Sequence, residues 1–188
     1  PNEELYLEGE QCLVFHLGGQ PYTANKLIRM VGFSQNQQNP APPIPNGPAP
    51  GELRQGPYFE FQTNRLVPFT SPNSTGAFPV YVDPWGTGKP YAFFASTSTT
   101  GGGLYPNDFS PAVGDCPSLN VAPYFQSVSG SPPVYQFLNP ATFQIISAGP
   151  DGMFGPGGAW NPLNGYPSGP GVDDQANFSQ HPLGSAAQ

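Results

Sequence analysis

The stretch Thr142-Phe-Gln-Ile-Ile-Ser147 is the clearest strand candidate in the sequence, and it runs directly into Ser147-Ala-Gly-Pro-Asp151-Gly-Met-Phe-Gly155. Aromatic and β-branched residues fill the first stretch, whereas glycine and proline interrupt the second, so a strand should end near residue 147. Glycines there let the backbone turn sharply and point its carbonyl oxygens inward, and Asp151 adds a charged oxygen. The sequence therefore predicts a strand that exits into an oxygen-rich turn.

Three earlier segments with alternating aromatic residues are also predicted as strands: residues 57–62, 78–83 and 90–96. The last two flank Pro84-Trp85-Gly86-Thr87-Gly88-Lys89, a turn-rich connection between short β-prone runs. Such a connection is typical of an antiparallel hairpin.

Residues 2–17 are predicted as a helix, the C-terminal part of a longer one. Asn2 can cap the N-terminus, and Gly18-Gly19 supplies a stop signal at the other end. Apolar residues fall near one stripe of this helix, so it should pack on a sheet. Glu8 and Glu10 are expected on its solvated face, although they could be considered as an acid/base pair.

The rest of the chain is predicted as loop, because 27 prolines and 24 glycines among 188 residues allow only short regular elements. The loops are a proline-rich segment at 34–57, an insertion at 97–140, a loop at 148–179 and a tail at 180–188. With the end of a helix at 1–19 and a sheet within 57–147, the order helix then meander indicates an α+β fold. We expect a single domain over residues 1–188, with an N-terminal helix packed on a small antiparallel β-sheet and dressed with long Pro/Gly-rich loops.

Charge is distributed unevenly along the chain. The net charge is −7, and all five Lys and Arg residues precede residue 90. The second half therefore has carboxylates and no cationic side chain, an arrangement that favours recruitment of a cation such as Ca²⁺. The absence of a basic patch argues against a nucleic-acid partner.

The candidate metal site lies at the exit of the last strand. Asp173 and Asp174 are adjacent carboxylates that repel one another unless something positive lies beside them. We expect Ca²⁺ to be held by Asp151, by one or both acids of this pair, and by backbone oxygens from Ile146 to Gly149. The alternative is that Asp151 caps a turn and the acidic pair is solvated.

Catalytic patterns are poor, so the chain is predicted not to be an enzyme. His16 and His181 have no acid and nucleophile arranged around them, and no hydrolase, phosphate-binding or zinc-protease motif occurs. Cys12 and Cys116 could form a disulfide or be two buried thiols, and both readings stay open. No apolar run is long enough to span a bilayer, so the chain as given is expected to be soluble.

Several segments follow one another in a distinctive order: Tyr81-Val-Asp-Pro-Trp-Gly86 followed by Pro90-Tyr91, then Phe143-Gln-Ile-Ile-Ser-Ala-Gly-Pro-Asp-Gly152, then the acidic pair and Asn177-Phe178. Together these segments resemble the major pseudopilin of bacterial type II secretion. In that family a Ser-x-Gly-x-Asp-Gly strand exit opens a calcium-binding loop. The start of the chain, Asn2-Glu-Glu-Leu-Tyr6, is similar to long pseudopilin-like proteins.

The resemblance implies a pilin-like fold and a structural role in a filament that supports protein export across the outer membrane. Its partners would be other pseudopilin subunits and secretion-system components. It would be periplasmic, anchored in the inner membrane only through a helix upstream of Pro1. It also implies that Asp151 and the pair Asp173 and Asp174 ligate calcium. The alternative function is an extracellular adhesion or binding module that uses exposed aromatic residues between 91 and 137.

Overall fold

A computed structural model describes residues 6–71, 73–74, 77–96, 114–130, 134–166 and 168–185. The chain divides into two compact units, Pro1–Val82 and Asp83–Gln188. Within the described residues no helix is long and apolar enough to cross a membrane.

Among its described residues, the first unit contains one helix and three two-stranded antiparallel sheets, β1–β2, β3–β4 and β5–β6. Its elements are α1 (Gly9–Gly18), β1 (Pro21–Ala24), β2 (Leu27–Met30), β3 (Phe33–Ser34), β4 (Arg54–Gln55), a 3-10 turn (Thr63–Arg65), β5 (Leu66–Phe69) and β6 (Phe78–Tyr81). Helix α1 starts at a capping box, in which the Gln11 side chain accepts a hydrogen bond from the Glu8 backbone N–H. It ends at Gly18, followed by Gly19 with a φ of 74°. The predicted glycine stop is therefore confirmed.

The helix is held to β5 and β6 by a buried amide. Gln11 Nε2 donates to the carbonyl oxygens of Phe69 and Phe78 at 3.2 and 3.3 Å. Leu13 and Val14 are buried on the same helix. Because Phe69 and Phe78 are paired across the two strands, this one side chain joins three elements.

The described part of the second unit contains two three-stranded sheets. Its elements are β7 (Ala92–Ala95), a 3-10 turn (Pro117–Leu119), β8 (Tyr124–Ser129), β9 (Val134–Phe137), β10 (Phe143–Ser147), β11 (Gly158–Ala159) and β12 (Gln175–Ala176). One sheet has the antiparallel order β12-β10-β7, and the other has the order β11-β8-β9 with β11 parallel to β8. The core of this unit buries aromatic and aliphatic side chains from both sheets and from the C-terminal loops: Ala92, Phe94, Cys116, Val121, Tyr124, Phe125, Phe137, Ile146, Trp160 and Leu183.

The predicted α+β, pilin-like architecture is wrong. The described chain is mostly β, with one ten-residue helix and five small sheets of two or three strands, and it lacks the N-terminal helix packed on one antiparallel sheet that is typical of a pilin. The physical reason is the density of proline and glycine. These residues remove backbone donors or weaken strands every few positions, so no described strand exceeds six residues and the sheets stay separate.

Individual strand predictions had mixed outcomes. The segments at 78–83, 90–96 and 142–147 contain β6, β7 and β10, whereas residues 57–62 are irregular and hold a cluster of aromatic rings. The predicted hairpin of the first two segments is wrong, because β6 pairs with β5 and β7 pairs with β10.

Parts of the chain that were predicted as loop hold regular structure. Within the predicted insertion at 97–140, the residues from 114 on include β8 and β9. The hairpin of β1 and β2 was not predicted. Its turn residues Asn25 and Lys26 have positive φ angles of 52° and 64°.

The predicted solvated acidic face of the helix is also wrong. Glu8 and Glu10 are both buried. Glu8 Oε1 accepts hydrogen bonds from Ser71 Oγ and from Asn73 Nδ2. The predicted cap, Asn2, lies outside the described residues. Burial of a polar helix start is possible because this network satisfies the carboxylate of Glu8.

Candidate functional site

Three of the segments that carry the family resemblance meet on one sheet of the second unit. Ile146 at the end of β10 pairs with Ala92 on one side and with Ala176 on the other. The strand after Pro90-Tyr91, the Ser-x-Gly-x-Asp-Gly strand and the strand after the acidic pair are therefore neighbours, although they are far apart in sequence.

Asp83 joins two of these motifs. Its side chain is buried, and its Oδ1 accepts hydrogen bonds from the Trp85 backbone N–H and from Thr87 Oγ1, both at 3.2 Å. Its Oδ2 accepts a hydrogen bond from Ser147 Oγ at 3.2 Å. The backbone N–H of Asp83 donates to the Lys89 carbonyl at 2.8 Å and closes the turn.

The turn after β10 lies directly against the acidic pair. Gly149 has a φ of 65°, and a Cβ atom at this position would lie 2.4 Å from the carbonyl oxygen of Asp173. The Asp151 backbone N–H donates to Asp173 Oδ2 at 3.0 Å. Only glycine combines this backbone conformation with so close an approach. The strand exit and residue 173 thus form one packed corner.

Asp151 itself is exposed, and it caps the turn. Its Oδ1 accepts a hydrogen bond from the Met153 backbone N–H at 2.7 Å. This is the turn-capping role that the sequence left open as an alternative. The position of Asp151 next to Asp173 is nevertheless the one that the sequence predicts.

Asp174 is fully buried, so the alternative of a solvated acidic pair does not describe this residue. Its Oδ2 accepts a hydrogen bond from the Gly155 backbone N–H at 2.9 Å and lies 3.5 Å from Tyr124 Oη. Its Oδ1 is buried and has no hydrogen-bond partner within the described residues. Burial, followed by the charges of Asp173 and Asp151, raises the pKa of Asp174 to about 7.

The side chains of Tyr124 and Tyr166 lie near the buried carboxylate of Asp174. The Tyr124 and Tyr166 rings pack edge to face with their centroids 6.0 Å apart. Burial raises the pKa of both phenols, and the nearby carboxylate of Asp174 adds to the effect. Both phenols therefore stay neutral near neutral pH, and no positive charge compensates Asp174 from this side.

The two predicted backbone ligands occupy different environments. Ile145 donates its N–H to Asn177 Oδ1 and accepts a hydrogen bond from the Asn177 N–H, so the backbone groups of Ile146 point the other way, toward β7. The Gly149 carbonyl oxygen lies in the turn and accepts a hydrogen bond from the Gly152 N–H at 3.3 Å. Of these two residues, Gly149 is the one beside the acidic pair.

One feature of the acidic residues fits calcium binding. A buried carboxylate oxygen with no donor, as in Asp174, is a group that a bound cation would satisfy. No three Asp, Glu, His or Cys side chains among the described residues converge as a metal-binding group. The remaining ligands of a Ca²⁺ ion would have to be backbone oxygens and water, which this ion accepts.

No protein-family model, curated protein or solved structure matches the chain.

Sequence reasoning missed the role of Asp83. It lies in the Asp-Pro-Trp-Gly segment, for which the sequence predicts only a turn and a resemblance to a family motif. The available signal was its chemistry, because a carboxylate just before a Pro-x-Gly turn can accept hydrogen bonds from that turn's backbone. Its pairing with Ser147, 64 residues away, has no signal in a single sequence.

Proposed function

We propose that the chain is the extracytoplasmic part of a structural filament subunit of the type II secretion kind, with loops ordered by Ca²⁺. In this proposal the subunit polymerises with copies of itself, contacts other secretion components and has no catalytic role. Its location is periplasmic, with an inner-membrane helix upstream of the present sequence. The proposal concerns function and does not include the helix-on-sheet fold.

One observation carries the proposal. The Asp-Pro-Trp-Gly turn and the Ser-x-Gly-x-Asp-Gly strand exit are joined by the hydrogen bond from Ser147 to Asp83. Two motifs that match a family by chance are not expected to contact each other in the folded chain. Two motifs that belong to one structural unit are expected to be in contact. The contact therefore supports reading them as one unit.

The calcium part of the proposal rests on the corner formed by Gly149, Asp151, Asp173 and Asp174. A cation there would neutralise mutually repelling carboxylates and supply a partner for Asp174 Oδ1. The loops that it would order hold few strands of their own, since β11 and β12 have two residues each. Its role would be structural, because binding to the folded state stabilises that state.

Thermal unfolding with and without calcium tests this part. The wild-type chain should melt at a higher temperature in excess CaCl₂ than in EDTA, and MgCl₂ should reproduce little of the shift because Mg²⁺ demands stricter geometry. Asp151→Ala and Asp173→Asn should reduce the shift, whereas Glu60→Gln, an exposed residue of the other unit, should retain it. A wild-type melting temperature that is identical in calcium and EDTA would exclude the calcium role.

The filament part is tested in the organism that encodes the chain. Deleting the full-length gene should block release of exported proteins into the medium while the envelope stays intact. Expression of the full-length gene should restore release, and antibodies against the present chain should label a periplasmic filament. An unchanged set of exported proteins in the deletion strain would contradict the proposal.

The adhesion-module alternative has less support from the described residues. It requires exposed aromatic side chains between positions 91 and 137, yet none of the described aromatic side chains in that range is exposed. Phe94, Tyr124, Phe125 and Phe137 are instead buried in the core.

A further inference from the structure

The turn from Asp83 to Lys89 and the turn after β10 are in direct contact. A Cβ atom built on Gly152 would lie 3.0 Å from Thr87 Cβ. Thr87 also donates its hydroxyl to Asp83. The two turns therefore touch at a second point besides the Asp83 to Ser147 hydrogen bond.

Ser147 connects Asp83 to the turn at the end of β10. Its Oγ donates to Asp83 Oδ2 at 3.2 Å and accepts a hydrogen bond from the Gly149 backbone N–H at 3.3 Å. Gly149 in turn packs against the carbonyl oxygen of Asp173. A continuous chain of contacts thus runs from Asp83 through Ser147 and Gly149 to the acidic pair.

The first two residues of this chain of contacts have restricted freedom. Asp83 and Ser147 are buried, with 2 % and 4 % of their surfaces exposed. A buried carboxylate that accepts three hydrogen bonds holds its donors in fixed positions, because losing any of them leaves a desolvated oxygen or donor without a partner.

We propose that Asp83 is a positioning residue for the calcium site formed by Gly149, Asp151, Asp173 and Asp174: through Ser147 it holds the 147–152 turn in the conformation that receives the ion. The inference rests on the proposed calcium function. Asp83 is not a ligand in this scheme, and it acts on the ion only through Ser147. The coupling is reciprocal, so calcium binding should also order the turn that carries Trp85.

Calcium titration calorimetry and hydrogen exchange of the full chain test the proposal. Removing an outer-shell partner of this kind typically weakens metal binding about 10- to 100-fold. Asp83→Asn and Ser147→Ala should each weaken calcium binding by about tenfold or more. Ser179→Ala is the matched control, since the Ser179 hydroxyl bonds only within its own turn, and its calcium affinity should equal that of the wild type.

Hydrogen exchange separates positioning from a general loss of stability. Without calcium, both variants should speed exchange in peptides covering residues 147–155 and leave the amides of β8 as protected as in the wild type. Adding calcium should protect peptide 83–89 in the wild type but not in Ser147→Ala. If either variant fails to fold, Thr87→Val can be used instead, because it removes only the hydroxyl that donates to Asp83 and changes the side-chain shape little. This variant should show the same faster exchange confined to residues 147–155.

The possible failures are distinguishable. If the wild type does not bind calcium, the calcium function fails, and the calcium-free exchange experiment still decides whether Asp83 positions the turn. If the wild type binds calcium and the variants keep its affinity, or if exchange rises equally in β8 and in 147–155, Asp83 is a general stability residue and the inference is overturned.

Discussion

The side-chain amide of Gln144 hydrogen-bonds to both backbone groups of Tyr124. Gln144 Oε1 accepts a hydrogen bond from the Tyr124 N–H at 2.7 Å, and Nε2 donates to the Tyr124 carbonyl at 2.8 Å. Nε2 also donates to the Leu138 carbonyl at 2.8 Å. Because Gln144 belongs to β10 and Tyr124 begins β8, one buried amide connects the two sheets of the second unit.

Replacing Gln144 should therefore destabilise the second unit. In Gln144→Leu the Tyr124 N–H loses its partner in a fully buried position, and we expect a loss of about 2–3 kcal/mol in the free energy of unfolding. Gln136→Leu is the control, because Gln136 is exposed and its side chain accepts a hydrogen bond from Ser127 Oγ across the hairpin. Urea unfolding of both variants measures the difference, and equal midpoints would show that the amide does not hold the sheets together.

Gly149 should tolerate no side chain. Gly149→Ala combines positive-φ strain, which costs about 1–2 kcal/mol by itself, with a methyl group 2.4 Å from the Asp173 carbonyl oxygen. Gly88→Ala has a similar φ of 74° but meets nothing within 4 Å, so it should show only the strain. Calorimetric melting of the pair isolates the clash. A Gly149 variant that is no less stable than the Gly88 variant would refute the close packing of the turn on residue 173.

Asp174 should make stability depend on pH in an unusual direction. Its pKa rises from the ordinary 3.8 to about 7 on folding. Between these two pH values the folded chain therefore keeps a proton on Asp174 that the unfolded chain has lost. The contribution of Asp174 to the free energy of unfolding should therefore fall as pH rises from about 4 to about 7 and level off above that.

Asp174→Asn provides the reference for this effect because asparagine resembles the protonated acid. In EDTA, the melting temperature of the wild type relative to Asp174→Asn should decrease from pH 4 to pH 7. The same comparison with the exposed Asp151→Asn controls for surface charge. A difference between wild type and Asp174→Asn that does not change with pH would show that Asp174 does not titrate in this range.

The C-terminal loops should contribute to the core through Leu183. Leu183 is fully buried, and its carbonyl oxygen accepts a hydrogen bond from Trp160 Nε1 at 2.9 Å. Leu183→Ala should cost about 2–5 kcal/mol, as expected for truncation of a buried leucine. Leu163→Ala, at a site 71 % exposed, should change stability by less than about 0.5 kcal/mol. Similar denaturant midpoints for the two variants would mean that residue 183 does not pack in the core.

Local patterns predicted individual elements better than they predicted the architecture. The strands β6, β7 and β10 and the helix stop at Gly18-Gly19 follow from alternation and from glycine chemistry, which act over a few residues. Strand partners depend on contacts between distant residues. The pairing of β7 with β10 and the bond between Ser147 and Asp83 therefore had no local signal.

Buried polar residues account for the other failures. Glu10 and Gln11 look like surface residues of a helix, and Gln144 looks like one of the alternating polar residues of a strand, yet all three are buried. Polarity alone predicts exposure, and only the three-dimensional positions of backbone groups such as the Phe78 carbonyl reveal that the buried amides of Gln11 and Gln144 have hydrogen-bond partners. Asp151 and Asp173 lie next to the strand exit, where the sequence predicts a calcium site, whereas local patterns give no indication that Asp174 points inward.

The two-residue strand β12, extended by Asn177, has a protective consequence for the whole molecule. It occupies one side of β10, and the Asn177 amide covers the next backbone groups by bonding to the Ile145 N–H and the Phe143 carbonyl. Proteolytic removal of this short segment would uncover a ready template for pairing with other chains. After such cleavage the uncovered edge of β10 would be available for self-association. The pairing of β12 with β10 therefore protects the molecule against aggregation at this edge.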